Sequence, residues 1–543
     1  MIVTHLSSNL SRHLILCSFF ILWVFYIFLY PSLSYNPQIF AEQGSNYLFY
    51  AYNKTFAQNI WKDDAGYLVW LPRVIALLVS AIASPYWFIV LCNLIALALS
   101  SFFVSFINHP SLRSLLSSDV QRFWLGLILG LCVLPCYEVF TYINFSYIGF
   151  IFVTLLLFAD KEHMHTAEYI AYFVLAALLC ISKFHFVLFA PIFIFFIIVH
   201  HRHRQRRSMY FYIPALCTIM IQLFYVVLTM KYTDSVANSY TMADLGMKGM
   251  IITLLRGVLL WFTAYSTHFR FLHHIIAVHL AGMILLCGFS YFVIVSWKKR
   301  EISTSIFMAV ILLNLIALGF AIISSLNQFS GIKSIFLYNA PYSFGRQGFM
   351  VYIMIWLSVA VFLLNVLQVP CLLGRQGKNI FLLMMTVLSL CTVLPKMFSI
   401  DSPSKGLSDW KNLHVLLKNP QYYIPVNPPG WGLQLGISKG ISFYRIYEAT
   451  AGVLDISDLS ALKKKVAAVI VEYPTQERLH AFSYDESGQV ISRSNMISHI
   501  NSRYKYLLFE TVLPGGFADK IVILNENNVP EENILMSAVY IFE

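Results

Sequence analysis

The chain has 543 residues, 58% of them hydrophobic, 16% aromatic and only 12% charged, with a mean hydropathy of +0.69. A soluble domain carries roughly a quarter charged residues, so a single water-soluble globule, a disordered chain, a fibre and a disulfide scaffold are all excluded. The formal charge of +11 is uneven: from Asp401 onward there are 15 acidic and 13 basic residues, so the first 400 carry a net +13.

The first apolar run, Leu14 to Tyr30, follows Arg12 and lacks a small-residue cleavage site. It reads as a signal anchor that stays in the membrane. A long loop, 31–72, comes next. Further spans are expected near 85–107, 123–141, 146–159, 168–182, 185–200, 210–229, 274–296, 304–325, 347–368 and 379–396, about eleven in all with the first. The basic clusters lie between these runs: Arg202, Arg204, Arg206 and Arg207, then Lys298, Lys299 and Arg300, then Arg375 and Lys378. A basic balance can mean nucleic acid, but this placement follows the positive-inside rule. With the N-terminus in the cytoplasm every cluster is cytoplasmic, and the tail lies outside. Two other apolar stretches, 67–82 with Arg73 and 251–266 with Arg256, are read as interfacial helices on the outer surface. All nine cysteines, Cys17 to Cys391, sit in or beside the apolar runs, which suits small membrane-core residues.

The tail, 399–543, changes character. A helix-like segment, Leu407 to Leu417, leads to a Pro/Gly-rich turn from Ile424 to Trp431. Short β-type runs follow at Ala467–Tyr473, Ala481–Tyr484, Val490–Arg493, Tyr504–Phe509, Lys520–Leu524 and Ala538–Phe542. The expected fold class is therefore a polytopic α-helical membrane domain, 1–398, followed by a β-rich extracytoplasmic domain, most simply a sandwich.

Carboxylates near a bilayer are expensive. On this topology Asp119, Asp160, Glu162, Glu168 and Glu301 are cytoplasmic, while Glu42, Asp63, Asp64, Glu138, Asp234 and Asp244 face outward. Three of these six lie in the loop 31–72, among Tyr47, Phe49, Tyr50, Tyr52 and Trp61. A carboxylate can take the proton of an acceptor hydroxyl, and aromatic faces pack on sugar rings, so the loop reads as a sugar-transfer site. The plainer alternative makes Asp63 and Asp64 a solvated pair and Glu42 a helix-end residue. Glu138 either orients an acceptor or caps its turn; Lys183 and His185 lie at the next outer turn. Arg346 either pairs bidentately with a phosphate or snorkels at the interface. His273, His274 and His279 lack a carboxylate at matching spacing and read as interfacial rather than as metal ligands. Walker, dinucleotide-binding and G-x-S-x-G motifs are absent, which argues against a cytosolic ATPase or nucleotide-sugar enzyme.

The layout resembles the GT-C class of polyprenyl-phosphate-sugar glycosyltransferases, and more narrowly the bacterial O-antigen serotype-converting glucosyltransferases. Phe40-Ala41-Glu42-Gln43 stands where that group has a Phe-Trp-Glu-Asp-like motif, and Ala65-Gly66-Tyr67-Leu68 through Leu71-Pro72-Arg73 is similar to its second segment. Glu138-Val139-Phe140 with Ile143-Asn144, and Ile424 to Trp431, resemble further recurring segments. Two positions depart from the pattern. Ala41 stands for tryptophan, and Gln43, which cannot act as a base, stands for the second acid.

The resemblance implies a bacterial inner-membrane enzyme moving a sugar, expected to be glucose, from undecaprenyl phosphate to O-antigen on the periplasmic side. A separate flippase and a donor-synthesising glycosyltransferase would supply the donor. Glu42 becomes the expected base, with Asp63 and Asp64 assisting or positioning the acceptor. Arg346 and Arg73 are the candidates for the donor phosphate, and Glu138, Asn144 and Trp431 for the acceptor. No cofactor is called for, and a divalent metal stays an open alternative. Two rivals remain, a lipid-linked sugar flippase or transporter and an O-antigen polymerase or ligase.

Overall fold

The computed structural model describes residues 2–35, 43–64, 66–132, 137–230, positions 294 and 357, and 423–426, 431–434, 441–462, 466–473, 479–498, 505–510, 519–525, 529–530 and 536–542. The helices in chain order are α1 (Ile2–Leu29), α2 (Phe49–Asn53), α3 (Phe56–Ile60), α4 (Trp70–Ser80), α5 (Pro85–Ser105), α6 (Asp119–Cys132), α7 (Ser146–Phe158), α8 (Thr166–Cys180), α9 (Ala190–Arg202) and α10 (Arg206–Met230). The chain divides into two bodies, one from Met1–Leu29, Ile60–Pro72 and Ile95–Ile400, the other from Tyr30–Asn59, Arg73–Leu94 and Asp401–Glu543.

In the first body, α1 packs on α6 where Gly130 has no side chain. The Leu22 side chain occupies the space a Cβ would need, and Tyr26 donates its hydroxyl to the Gly130 carbonyl at 2.9 Å. Small residues let apolar helices approach in this way when no water is available to drive their association. A polar tie, Asn108 Nδ2 to Ser18 Oγ at 2.9 Å, joins α1 to the turn after α5. Helix α10 packs against both α8 and α9.

Among the described residues, three helical stretches are long and apolar enough to cross a bilayer: Trp87–Asn108, Phe184–Arg202 and Arg206–Thr229. Other expected spans come out shorter. In the run at 123–141, α6 covers the described residues up to Cys132, and a 3-10 turn occupies Tyr137–Phe140. The run at 146–159 forms α7, whose 13 residues reach about 20 Å, short of a ~30 Å hydrocarbon core. Its residues are buried almost throughout, so α7 is enclosed by other helices, as a helix apolar on every side should be. The stretch 67–82, expected as one interfacial helix, instead holds a short strand followed by α4. The spans expected at 274–296, 304–325, 347–368 and 379–396, and the stretch 251–266, lie outside the described residues.

In the second body, the chain after residue 43 makes a π-helical turn at Gly44–Leu48 and continues into α2. Two short strands, β1 (Asp63–Asp64) and β2 (Tyr67–Leu68), belong to the first body and pair antiparallel. The tail opens with β3 (Tyr423–Val426) paired to β4 (Trp431–Gln434), so the expected Pro/Gly turn has a strand at each end and closes between Val426 and Trp431. Eight further strands follow: β5 (Ile441–Glu448), β6 (Val453–Asp455), β7 (Val466–Tyr473), β8 (His480–Tyr484), β9 (Val490–Ser498), β10 (Lys505–Glu510), β11 (Lys520–Leu524) and β12 (Met536–Phe542). A one-turn helix, α11 (Ser457–Ala461), sits between β6 and β7.

Their order is β5-β12-β7-β10-β9-β8-β11-β6, antiparallel throughout. Strand β9 is shared: Val490 to Asn495 pair with β8, and Met496 to Ser498 with β10. Two ladders therefore meet along one strand, the arrangement by which a strand passes from one sheet to another.

Candidate functional site

The segment 63–72 is the most heavily bonded loop in the first body. Gly66, at φ +84, turns β1 into β2, a backbone that an L side chain resists. Asp63 serves that turn: one carboxylate oxygen accepts the Gly66 N–H at 3.2 Å and the other meets Lys62 Nζ at 3.1 Å. The half-exposed Lys62–Asp63 pair is worth at most about 1 kcal/mol. Asp64 beside it is buried. Gln222 on α10 takes both backbone groups of Leu68, accepting at 3.0 Å and donating at 3.1 Å. Thr229 donates to the Gly66 carbonyl at 3.0 Å, Ser182 accepts the Leu71 N–H at 2.8 Å, and Tyr142 donates to the Pro72 carbonyl.

One cation completes this frame. Lys183, almost fully enclosed, donates to Tyr67 Oη at 2.9 Å and to Asn144 Oδ1 at 3.3 Å. Its ammonium also lies 5.2 Å from the ring centroids of both Tyr67 and Tyr147, within cation–π range. No carboxylate among the described residues pairs with it. The ammonium has three protons to give and two hydrogen-bond acceptors, while Asn144 Nδ2 is buried with no acceptor at all.

The second body holds a comparable centre around Arg73, which is fully buried. Nη1 donates to the Asn46 carbonyl at 2.9 Å and Asn59 Oδ1 at 3.3 Å. The guanidinium lies 5.0 Å from the Tyr47 ring and 5.5 Å from the Tyr50 ring. Nε and Nη2 are buried with no acceptor, and so is Asn59 Nδ2. No carboxylate pairs with Arg73 among the described residues. A buried guanidinium flanked by two aromatic faces, with only donors left over, matches an acceptor-rich anion such as a phosphate monoester or diester.

The same body fixes the residue that follows Glu42. Gln43 is buried and donates from Nε2 to Asn93 Oδ1 on α5 at 2.9 Å. Next in the chain, Gly44–Leu48 runs alongside strand β4, so the tail hairpin beginning at Ile424 and the loop after Glu42 lie together.

Of the sequence-predicted residues, Asn144 is brought to Lys183, and Arg73 to the loop aromatics. Asp63 is engaged in its own turn, with one bond to each carboxylate oxygen. Tyr47 and Tyr50, expected to pack on sugar rings, give their faces to Arg73 instead, because a desolvated cation takes the nearest π-face. Tyr52 donates to the Ala83 carbonyl, and burial pushes its hydroxyl up to about 12. Glu138 lies in the turn Tyr137–Phe140 and Trp431 begins β4. Glu42 and Arg346 lie outside the described residues. Lys183 was noted in the sequence without a role; its signal was a lysine between apolar helices, with no acid near it in the chain. Among the described residues no three His, Cys, Asp or Glu side chains gather as metal ligands would.

No protein-family model matches the chain, and no curated protein does. Among solved structures it is similar to the arabinosyltransferase EmbB of Mycobacterium smegmatis, at 13% identity and a TM-score of 0.21, over 87% of this chain and 58% of that one. The chain thus spans less than two thirds of that protein's length.

Proposed function

We propose that this chain is an integral-membrane glycosyltransferase of the GT-C type, moving glucose from undecaprenyl phosphate to O-antigen at the periplasmic face of the inner membrane. The observation that carries the reading is Arg73: a fully buried guanidinium, carried on the helix that follows the first loop, whose Nε and Nη2 have no acceptor among the described residues. Leaving such donors desolvated costs about 1–3 kcal/mol each, more when charged, and a bound lipid phosphate would recover that cost.

In this reading Glu42 takes the proton of the acceptor hydroxyl as its oxygen attacks the anomeric carbon. The bond from that carbon to the phosphate oxygen breaks, and undecaprenyl phosphate leaves with the electron pair. Charge grows on the leaving oxygen, where Arg73 and Arg346 stabilise it. Gln43, the next residue in the chain after Glu42, is tied to Asn93. Asp64, Glu138, Asn144 and Trp431 orient the acceptor; strand β4, which begins at Trp431, runs beside Gly44–Leu48.

The test uses the purified full-length chain, radiolabelled undecaprenyl-phosphate glucose and a lipid-linked O-antigen acceptor. Wild type should produce glucosylated acceptor. Glu42→Gln should lose roughly 10²–10⁴-fold in rate while inserting normally into membranes. Undiminished transfer by the variant removes Glu42 as the base. Movement of the lipid across vesicles without transfer would support a flippase, and joining of preformed chains a polymerase or ligase.

A further inference from the structure

A groove of about 620 Å³ opens between α8 and α10, lined by Tyr169, Phe173, Arg206, Arg207, Tyr210 and Ile213, with Pro214 beside them. Its two ends differ in chemistry. The first turn of α10 supplies two guanidinium groups, and the next turns of α10 and α8 supply only aromatic and aliphatic surface. Behind the groove, Phe211 meets the rings of Tyr169 and Phe173 at 5.4 and 6.1 Å, which closes its floor. Ile170, Val174, Tyr210 and Ile213 are exposed on the surrounding surface, an apolar patch suited to hydrocarbon and not to water.

Arg207 is held but not neutralised. Its guanidinium lies 4.7 Å from the Tyr169 ring centroid, Tyr169 Oη donates to its carbonyl at 2.9 Å, and Nη1 points to the Glu162 carbonyl at 3.4 Å. Nη2 is buried with no acceptor. The nearest acid, Glu162, uses its carboxylate on the Ser208 N–H at 2.9 Å and forms no ion pair with Arg207. Residues 200–210 contain four arginines, three histidines and no acid, so positive charge here outweighs the single Glu162 carboxylate beside it. Pro214 inside α10 adds an acceptor, since it cannot donate to the Tyr210 carbonyl one turn back.

We propose that this groove binds one anionic phospholipid of the surrounding leaflet. The headgroup phosphate sits on Arg206 and Arg207, and one acyl chain lies along Phe173, Ile213 and Pro214. Basic pockets between membrane helices suit anionic headgroups, each basic residue contributing about fivefold in affinity near the surface. Zwitterionic lipid gains nothing comparable, because its own cation opposes the arginines. This site is separate in the sequence from the residues proposed for sugar transfer and does not rest on that proposal.

Native mass spectrometry of the full-length protein in detergent tests it, titrating dioleoylphosphatidylglycerol against dioleoylphosphatidylcholine. Wild type should retain one phosphatidylglycerol with a preference of roughly 30-fold, falling to near parity in Arg206→Gln/Arg207→Gln. Ile213→Trp, which fills the chain slot and keeps both arginines, should weaken phosphatidylglycerol by a similar factor. Arg113→Gln, a change to an arginine already paired with Asp119, should leave binding unaltered. Equal retention of the two lipids by wild type, or undiminished preference in the double variant, overturns the proposal. Displacement of phosphatidylglycerol by millimolar inorganic phosphate would overturn it too, because the site would then take a free anion. Should the double variant fail to fold, Ile213→Trp decides.

Discussion

Arg122 and Arg73 both lose all contact with solvent, but their surroundings differ. Arg122 binds the carboxylate of Asp119 and the Leu116 carbonyl, and Arg113 reaches the same carboxylate at 3.2 Å. Arg73 has one carbonyl, one carboxamide and two aromatic faces, and keeps two donors idle. The two lysines repeat the contrast. Lys161 gives its three protons to the carbonyls of Leu156 and Ala159 and to Tyr212 Oη, at 2.6, 3.1 and 2.7 Å. Lys183 has two acceptors and two rings. Arg122 and Lys161 lie on the side expected to be cytoplasmic, and Arg73 and Lys183 on the side expected to face outward. Arg122 also leaves its Nε without an acceptor, but its charge is matched by the Asp119 carboxylate; a buried cation matched in that way holds structure, and one with spare donors and no carboxylate suits an acceptor that arrives later.

The contrast breaks or holds most visibly at the two arginines. Arg73→Gln should lower kcat/KM for sugar transfer by about 10²–10³-fold, with a smaller loss of thermal stability than at Arg122, since the partners left behind, the Asn46 carbonyl and Asn59 Oδ1, are neutral and no carboxylate is stranded. Arg122→Gln should do the reverse, destabilising by about 3 kcal/mol and leaving the kcat of the folded fraction unaltered. Transfer assays paired with thermal melts in detergent separate these outcomes. A Arg73→Gln protein that unfolds but keeps full activity per folded molecule would remove the distinction.

Lys183→Met should act next, raising KM about tenfold for whichever substrate meets the frame, as expected for one charged hydrogen bond, and affecting kcat less. Steady-state kinetics with each substrate varied in turn shows which one it meets. A fall in kcat alone would place Lys183 at the reacting atoms, and no change in either would make it structural like Lys161.

Local patterns were legible and long-range partnerships were not. The runs at Ala467–Tyr473 and Lys520–Leu524 are rich in valine and isoleucine, and strands occupy Val466–Tyr473 and Lys520–Leu524. The apolar stretch 85–107 is helical over Pro85–Ser105 because nothing in it breaks a helix. Within the run at 123–141 the described residues up to Cys132 are helical, as its unbroken apolar pattern leads one to expect. Periodicity reports which face of an element is apolar, not what meets it. That Arg73 finds Tyr47 and Asn46, or that Lys183 finds Tyr67 from 116 positions away, depends on how elements pack. The Pro72-Arg73 and Gly66-Tyr67-Leu68 segments stood out in the sequence by resemblance alone; their side-chain partners Gln222, Ser182 and Thr229 are ordinary polar residues inside apolar runs.

The smallest effect tests the satisfied side of the contrast. Burial lowers the Lys161 ammonium to about 7, with Asp160 and Glu162 pulling it back upward. Above pH 7 the folded chain then gives up a proton that the unfolded chain keeps until the ordinary lysine range near ~10.4. The unfolded state binds more protons in that window, so stability rises with pH from about 7, by at most about 1.4 kcal/mol per pH unit, and is insensitive to this group below it. Lys161→Met removes the titrating group at similar length, so the difference between wild-type and variant melting temperatures should widen from pH 7 to pH 9. Parallel curves would mean that the three acceptors hold the proton against burial. Lys161 would then be a fixed cation at the C-terminus of α7, as firmly matched as Arg122, and spare donors, not shifted protons, would be what sets Lys183 apart.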